Sequence, residues 1–186
     1  YKTNLDRNIW ADNIRSWNKY TAEELIEQML VNSDNTAADI LGANIWWKKI
    51  NQVYRDLWIQ EIDFSKNEDI RISTRDISRF LRILYNASYI NQTHSEQILK
   101  FLSKSNFKEG IREWIPGWIP VLNKYGERWF SNSLEKQLHD CWIVYAAQNP
   151  YLLCVMTKWN DLKVLASIIW NISKITYDTI NEIKKE

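Results

Sequence analysis

Residues 141–157 read CWIVYAAQNPYLLCVMT, and this stretch decides the fold class. Two runs rich in β-branched and aromatic residues flank Ala147-Gln148-Asn149-Pro150, a tetrapeptide whose composition favours a turn. The pattern therefore predicts a β-hairpin with strands at Cys141–Ala146 and Tyr151–Thr157.

Working outward from the hairpin, the pattern predicts a strand on one side and a helix on the other. Ile119–Lys124 follows Pro116 and has the composition of a strand. From about Asp161 to Lys185, apolar residues recur at helical spacing and predict a closing helix. Antiparallel strands that follow helices and precede a helix are typical of an α+β architecture.

The first 115 residues have helical signals. Thr21-Ala22-Glu23-Glu24 is a capping box that predicts a helix through about Val31, and Ser73-Thr74-Arg75-Asp76 begins another in the same way. Further helices are predicted at Ser33–Ala43, Lys48–Leu57 and about Ser95–Ser103, whereas residues 58–72 lack a period. We expect a single domain over 1–186, mainly helical over 1–115, with strands and the closing helix over 116–186.

The charge balance excludes two classes of partner. Lys and Arg number 24 against 23 Asp and Glu, so the net charge of +1 gives no electrostatic basis for binding nucleic acid or an anionic membrane. No apolar run approaches the roughly 18 residues that a membrane-spanning helix needs. We therefore expect no nucleic-acid partner and no membrane-spanning segment in this chain.

Glycine and tryptophan occur in abnormal numbers. Ordinary usage of about 7% predicts roughly 13 glycines, but the chain has 4 glycines and 11 tryptophans. Trp46-Trp47 follows an apolar helix pattern, Trp118 and Trp159 lie in stretches that favour turns, and Trp142 lies in a predicted strand. Helix ends and turns are where positive φ is common and glycine is preferred.

We hypothesise that many tryptophan codons are UGA and are read as glycine by the organism that makes the protein. The Ile-, Asn- and Lys-rich composition fits an AT-rich genome, in which UGA would be frequent. In the alternative, the tryptophans are genuine core or sugar-stacking residues, since aromatic rings contribute large burial and binding energies.

Two short motifs carry the chemistry of the chain. Ser33-Asp34-Asn35 begins a predicted helix, and about ninety residues later Lys124-Tyr125-Gly126 ends a predicted strand. Together they resemble the serine β-lactamase and penicillin-binding protein superfamily, whose elements are Ser-x-x-Lys, Ser-Asp-Asn and Lys-Thr-Gly. The resemblance continues in the flanking stretches, in family order: YTAEELIEQMLVNSDNTAADIL (20–41), ISTRDISRFLRILYN (72–86), IPVLNKYGER (119–128) and HDCWIVY (139–145).

This resemblance implies a β-lactamase/transpeptidase-like fold, with the site between a helical subdomain and an antiparallel sheet. It implies that Ser33 passes a proton to the leaving nitrogen and that Asn35 hydrogen-bonds the substrate amide and the catalytic lysine. Lys124 would attract the substrate carboxylate. The family tends to have glycine at several of the positions where this chain has tryptophan, for example between Cys141 and Ile143. This tendency also supports the recoding hypothesis.

The resemblance also assigns roles to the three residues after Lys124. Gly126 would let the substrate lie along the strand edge, and the backbone N–H of Glu127 would form half of an oxyanion hole. Tyr125 stands where the family has Thr or Ser, so its phenol would replace one hydroxyl that binds the substrate carboxylate.

One element of the superfamily is missing. Ser-x-x-Lys lies about sixty residues before Ser-Asp-Asn in the family, and only 32 residues precede Ser33 here. Ser16-Trp17-Asn18-Lys19 and Ser133-Leu134-Glu135-Lys136 match the bare pattern but are interpreted as chance matches because their positions are wrong. We expect the chain to be the C-terminal portion of a longer protein, with its N-terminal part missing, and to be inactive alone.

Two further departures concern turnover and substrate binding. Class A enzymes use Glu-x-x-Leu-Asn to activate the deacylating water, whereas this chain has Gln60-Glu61-Ile62-Asp63-Phe64. Leu138 stands before His139-Asp140, where the family often has arginine. These departures favour a D,D-peptidase or acyl transferase over a fast β-lactamase.

The resemblance therefore implies acyl transfer on a β-lactam or on the D-Ala-D-Ala-like amide of a peptidoglycan stem peptide. The alternative is a non-catalytic domain that binds peptidoglycan or supports another domain. Because substrates of the superfamily lie outside the cytoplasm, we expect an extracytoplasmic location, directed by a signal or anchor in the missing part. We also expect the protein to be a monomer.

The cysteines and histidines allow limited predictions. If the hairpin turns at Ala147-Gln148, then Cys141 faces Cys154, and either two buried thiols, which are slightly favoured, or a disulfide would result. His94 and His139 lack metal-ligand spacing, so we expect neither a metal site nor a cofactor.

Overall fold

The computed structural model describes residues 14, 15, 18–45, 47–61, 71–108, 110–112, 114–130, 133–146 and 150–182. Within these ranges the chain forms six α-helices and a three-stranded antiparallel sheet. The elements in chain order are α1 (Ala22–Val31), α2 (Asn35–Asn44), α3 (Trp47–Asp56), α4 (Thr74–Tyr85), α5 (Gln92–Ser103), β1 (Val121–Trp129), β2 (Lys136–Val144), β3 (Tyr151–Trp159) and α6 (Leu162–Glu182). The α+β prediction is confirmed.

Both predicted helix caps are present. The hydroxyl of Thr21 accepts a hydrogen bond from the Glu24 N–H, and the Glu24 carboxylate accepts one from the Thr21 N–H at 2.7 Å. Ser73 caps α4 by accepting from the Asp76 N–H at 3.1 Å. Each cap satisfies backbone donors that would otherwise lack a partner, which fixes where the helix begins.

Two helices begin at different residues from those predicted. Helix α2 begins at Asn35 rather than Ser33, because the carboxylate of Asp34 is the cap and accepts from the Ala37 N–H at 2.9 Å. Helix α5 begins at Gln92, three residues before the predicted start, because the side chain of Asn91 accepts from the His94 N–H. The predicted end of the last helix, near Lys185, lies outside the described residues.

The strand bounds also differ from the prediction. The Ile119 N–H donates to the Pro116 carbonyl in a turn, so β1 begins at Val121, and it continues five residues beyond Lys124. The Lys124-Tyr125-Gly126 motif therefore lies in the middle of a strand rather than at its end. The second half of β1 was not predicted as a strand because it contains glycine and charged residues instead of an apolar pattern. Pairing with β2 stabilises this half of the strand.

The bounds of β2 and β3 also differ from the predicted ones. Strand β2 begins at Lys136, opposite Trp129, and ends before Tyr145, whose N–H donates to the Pro120 carbonyl. Strand β3 extends two residues past the predicted end at Thr157. The predicted pairing of Cys141 with Cys154 is confirmed, whereas the turn residues 147–149 lie outside the described residues.

The sheet has a helix layer on each face. On one face, Leu138, Trp142, Val144 and Val155 pack with Leu165 and Ile169 of α6. On the other face, Leu122, Cys141 and Ile143 pack with Leu81 of α4 and Leu102 of α5. Because neighbouring residues of a strand point to opposite faces, each strand contributes to both cores.

Cys141 and Cys154 are joined in a disulfide between the central strand β2 and the outer strand β3. The interpretation that favoured two free thiols is therefore wrong. The antiparallel register aligns the two residues directly, which is the arrangement from which a cross-strand bridge can form.

The described tryptophans that were named as turn or helix-end residues do not adopt positive φ. Among the described residues other than glycine, positive φ occurs at Ser33, Trp58 and Ala87, and Trp159 ends strand β3 instead of lying in a turn. Trp142 is completely buried in β2, Trp118 is an exposed turn residue, and Trp46 lies outside the described residues. The expected strain is thus absent at the described positions that the sequence singled out.

Positive φ does occur at a different tryptophan, where helix α3 ends. Trp58 has φ 57° and is 88% exposed. The Ile59 N–H donates to the Tyr54 carbonyl and the Trp58 N–H to the Arg55 carbonyl, which together make a Schellman motif with Trp58 at the left-handed position. Glycine is the residue that this position prefers, because the left-handed conformation costs other residues energy.

We expect Trp58→Gly to raise the free energy of unfolding by roughly 1 kcal/mol, because glycine relieves the left-handed strain while the exposed ring loses little packing. The measurement is urea denaturation. The matched control is Trp159→Gly, which places glycine in a strand without positive φ and should lower stability. A fall in stability for Trp58→Gly would contradict the interpretation.

We expect reduction of the Cys141–Cys154 disulfide to lower the free energy of unfolding by about 3 kcal/mol, the value for a loop of about 15 residues. Chemical denaturation with and without a reductant measures this difference. A Cys141→Ser/Cys154→Ser double variant should be indifferent to the reductant. Two titratable thiols in unreduced, denatured protein would show that the bridge does not form.

Candidate functional site

Ser33 and Lys124 meet although 91 residues separate them. The Lys124 Nζ donates to the Ser33 Oγ at 2.7 Å and to the backbone carbonyl of Tyr125 at 2.8 Å. Ser33 lies in the short loop between α1 and α2, and Lys124 lies at the centre of β1. The structure therefore brings the two sequence motifs into one place between the helices and the sheet.

The loop that presents Ser33 is held from both sides. Ser33 has φ 55°, an uncommon conformation for a residue with a side chain. On its C-terminal side, Asp34 is 1% exposed, caps α2 and donates its N–H to the Gln28 carbonyl of α1. Strain of this kind persists when the surrounding bonds impose it, and it is frequent at functional sites.

The ammonium of Lys124 is in an environment that favours its neutral form. Burial lowers the pKa of Lys124 to about 8, and the nearby Asp140 carboxylate opposes this shift. An amine with such a pKa exchanges protons near neutral pH, and its hydrogen bond to Ser33 gives the proton a path to a hydroxyl. The pair can thus act as a proton donor or acceptor.

Asp140 is a buried carboxyl that sequence reasoning did not select. It is 1% exposed on β2, opposite Tyr125, and it accepts a hydrogen bond from the Asn123 side chain at 3.3 Å. Burial raises the pKa of Asp140 to about 7, and the hydrogen bonds and Lys124 oppose that shift. A Cβ at Gly110 would lie 2.9 Å from its carboxylate, so a larger residue there would require the carboxylate to move.

The residues after Lys124 alternate between the two faces of the sheet. Tyr125 is 7% exposed, its ring stacks on Phe107 at 4.6 Å, and its hydroxyl donates to the Asn32 carbonyl at 3.5 Å. No atom lies within 4 Å of a Cβ built on Gly126, so the space beside it is open. β1 is an edge strand of the described sheet, so alternate N–H groups point away from β2.

The remaining predicted residues are less engaged. Asn35 is exposed at the first position of α2, and Glu127 is half-buried on β1, where desolvation raises the pKa of its carboxyl. Exposed Glu61 is in an ion pair with Arg55 at 2.7 Å, and Ile62, Asp63 and Phe64 lie outside the described residues.

The two bare Ser-x-x-Lys matches differ in what can be said of them. Ser16-Trp17 lies outside the described residues. In the second match, Lys136 begins strand β2 rather than completing a helical turn. Its interpretation as a chance match agrees with this placement.

A cavity of about 790 Å³ opens on the α6 side of β1. The C-terminal end of α1, the 106–107 loop, β1, β2 and the first half of α6 line it: Asn32, Asn106, Phe107, Tyr125, Glu127, Leu138, Leu162, Lys163, Ala166, Ser167 and Trp170. Tyr125 and Glu127 connect this cavity to the strand that carries Lys124. Sequence reasoning missed the cavity, because no local pattern records how α6 docks.

The Beta-lactamase enzyme family matches residues 4–180 of the chain. Solved structures similar to the chain include a mutant of PBP-A described as an acyl-enzyme complex with penicillin G, at 16% identity and a TM-score of 0.72, covering 91% of this chain and 65% of that one. No curated protein sequence matches significantly.

Two β-lactamases show the same similarity of fold. The enzyme from Sphaerobacter thermophilus is 18% identical with a TM-score of 0.72, covering 87% of this chain and 63% of that one. The enzyme from Chitinophaga pinensis is 16% identical with a TM-score of 0.73, covering 87% and 66%. The chain thus spans slightly less than two thirds of the length of these structures. No described helix is long and apolar enough to cross a membrane.

We expect Asp140 to make stability depend on pH. Because its folded-state pKa of about 7 lies above its ordinary value of 3.8, its contribution is fully present below pH 3.8 and is lost as the pH rises through about 7. The loss reaches up to about 1.4 kcal/mol per pH unit. Urea denaturation between pH 4 and 7 should show a smaller decline for Asp140→Asn than for the wild type, with Asp39→Asn, at an exposed position of α2, as the control for the change in charge. Parallel profiles for Asp140→Asn and the wild type would contradict this assignment.

Proposed function

Because this chain belongs to the β-lactamase enzyme family, we propose that it acts, within a full-length protein, as part of a serine hydrolase that forms an acyl-enzyme. The substrate would be a β-lactam or the D-Ala-D-Ala-type amide of a peptidoglycan stem peptide. The observation that carries the proposal is the hydrogen bond between Lys124 and Ser33, which joins the two family motifs at a potential proton-transfer site.

In the proposed acylation step, a serine oxygen attacks the amide carbonyl carbon and the carbon–nitrogen bond breaks. The leaving nitrogen takes the proton of the Ser33 hydroxyl, and the Lys124 ammonium replaces that proton. The proton that the attacking serine hydroxyl loses restores the Lys124 ammonium, so that the step neither takes up nor releases a net proton. The lowered pKa of Lys124 supports this role, because an amine that titrates near 8 gives up its proton more readily than an ordinary lysine. The nucleophilic serine would belong to a segment before Tyr1.

The fate of the acyl-enzyme is the second part of the proposal. Glu61 is exposed and paired with Arg55, so its carboxylate is poorly placed to activate a water at Ser33 and Lys124. This supports slow deacylation, as in a D,D-peptidase or an acyl transferase, over fast β-lactam hydrolysis. The alternative function, a non-catalytic peptidoglycan-binding domain, is favoured only by the lack of an acceptable Ser-x-x-Lys in the chain.

The disulfide supports an extracytoplasmic location. Disulfides form and persist in oxidising compartments and are rare in the cytosol. The Cys141–Cys154 bridge lies in the central part of the sheet, and Cys141 is 3% exposed. We therefore propose that the folded domain lies outside the cytoplasm, where peptidoglycan lies.

We also propose that several tryptophan positions, including Trp58, hold glycine in the protein made by its source organism. Support comes from the left-handed conformation of Trp58 and from the scarcity of glycine in the chain. Peptide mass spectrometry of the natural protein tests this directly. Glycine masses at Trp58 and at several other tryptophans are expected, and tryptophan throughout would reject recoding.

We expect a fluorescent penicillin to label the full-length protein, and Ser33→Ala and Lys124→Ala to slow labelling by about 10²- to 10⁴-fold, the usual contribution of general acid–base catalysis. Ser133→Ala, at an exposed serine before β2, is the matched control and should label normally. The isolated chain of 186 residues should not hydrolyse nitrocefin.

Three outcomes would contradict this proposal. Nitrocefin turnover by the isolated chain would show that its nucleophile lies within residues 1–186. Unchanged labelling of Ser33→Ala and Lys124→Ala would remove the proposed proton path. Absence of labelling in the full-length wild type would favour the non-catalytic alternative.

A further inference from the structure

The 106–107 loop, which follows α5, contacts both the loop that carries Ser33 and the strand that carries Lys124. It is distant from Ser33 in the sequence, since 74 residues separate Asn106 from Asn32. A segment that is bonded on both sides can hold two parts of a site at a fixed separation. The contacts on each side show how this is done.

The first set of contacts joins Asn106 to the residues before Ser33. The Asn106 N–H donates to the Val31 carbonyl at 3.3 Å, and the Asn106 side-chain amide donates to the side-chain oxygen of Asn32. The Asn32 amide in turn donates to the Gln28 side chain of α1 at 2.7 Å. Because Asn32 immediately precedes Ser33, these bonds restrain the N-terminal side of the Ser33 loop.

The second set of contacts joins Phe107 to β1. The Asn123 side-chain amide donates to the Phe107 carbonyl at 3.4 Å, and the Phe107 ring stacks on the Tyr125 ring at 4.6 Å. Asn123 is 5% exposed and also donates to the Asp140 carboxylate at 3.3 Å, so its amide is fixed in turn. Asn123 and Tyr125 are the two neighbours of Lys124 in the strand, and the 106–107 loop is therefore anchored on either side of Lys124.

Ser33 and Lys124 both require support of this kind. Ser33 has φ 55°, a conformation that persists only when the surrounding structure imposes it. The Lys124 ammonium is desolvated and needs its oxygen acceptors. The Nζ and the Oγ lie 2.7 Å apart, and a displacement of about 1 Å between reacting groups can slow a reaction about 100-fold.

We propose that Asn106 is a positioning residue that holds the Ser33 hydroxyl at hydrogen-bond distance from the Lys124 ammonium. It acts through Asn32 on one side and, through the adjoining Phe107, against β1 on the other. This geometry belongs to the chain itself. Its consequence for the rate of acylation rests on the proposed function.

The first test is an NMR titration of isotope-labelled lysine side chains in the 186-residue chain, comparing Asn106→Ala, Ser33→Ala and the double variant. Each single variant should lower the pKa of Lys124 below about 8, because the ammonium loses an oxygen acceptor. The double variant should show no further shift, because the same hydrogen bond can be lost only once. Asn106 is exposed, so its truncation leaves the cores intact.

The matched control is Asn44→Ala. Asn44 is likewise exposed and donates its side-chain amide to the Ile40 carbonyl at 2.8 Å, but it lies at the far end of α2 from Ser33. This variant should leave the pKa of Lys124 unchanged. An unchanged pKa in Asn106→Ala, or a rise caused by water entering the site, would overturn the inference.

The second test measures the rate at which a fluorescent penicillin labels the full-length protein. Asn106→Ala should slow labelling by about 10- to 100-fold in the wild-type background and should have no further effect in the Ser33→Ala background. Equal slowing in both backgrounds would indicate a merely structural role and overturn the inference. If the wild type is not labelled at all, the proposed function fails, and the NMR comparison still decides the role of Asn106.

Discussion

The hydrogen bond between the Lys124 ammonium and the Ser33 hydroxyl is the contact on which the rest of the site depends. It connects the centre of an edge strand to a two-helix loop 91 residues away, across the boundary between the sheet and the helices. Both ends are supported: the buried Asp34 cap fixes the loop, and pairing with β2 fixes the strand. A partly buried ammonium is tolerated there because two oxygens accept hydrogen bonds from it.

Successive side chains of β1 point to opposite faces of the sheet. Lys124 points to the face that packs against α4 and α5, where Ser33 and the Cys141–Cys154 disulfide lie. Its neighbour Tyr125 points to the α6 face, where the cavity opens. Adjacent residues of one strand therefore have different surroundings, Lys124 beside Ser33 and Tyr125 in the cavity wall. Buried Asp140 belongs to the second face and still acts electrostatically on Lys124 through the thin sheet.

Local signals in the sequence predicted what local contacts determine. The Thr21 and Ser73 caps set the starts of α1 and α4, and the hairpin centre gave the pairing of Cys141 with Cys154. The family resemblance assigned Ser33 and Lys124 to one site, and the structure joins them by a hydrogen bond. The full length of β1 was missed because strand pairing, not side-chain pattern, holds its polar half.

Asp140 and the cavity beside β1 could not be selected from the sequence, since burial gives Asp140 its properties and the docking of α6 forms the cavity. The most direct test of the account is an NMR titration of isotope-labelled lysine side chains, with Lys124→Met to assign the signal. The account predicts that the Lys124 signal, identified by its absence in the variant, titrates with a pKa lowered to about 8. If Lys124 titrated at the ordinary 10.5, the buried proton-transfer pair would be contradicted.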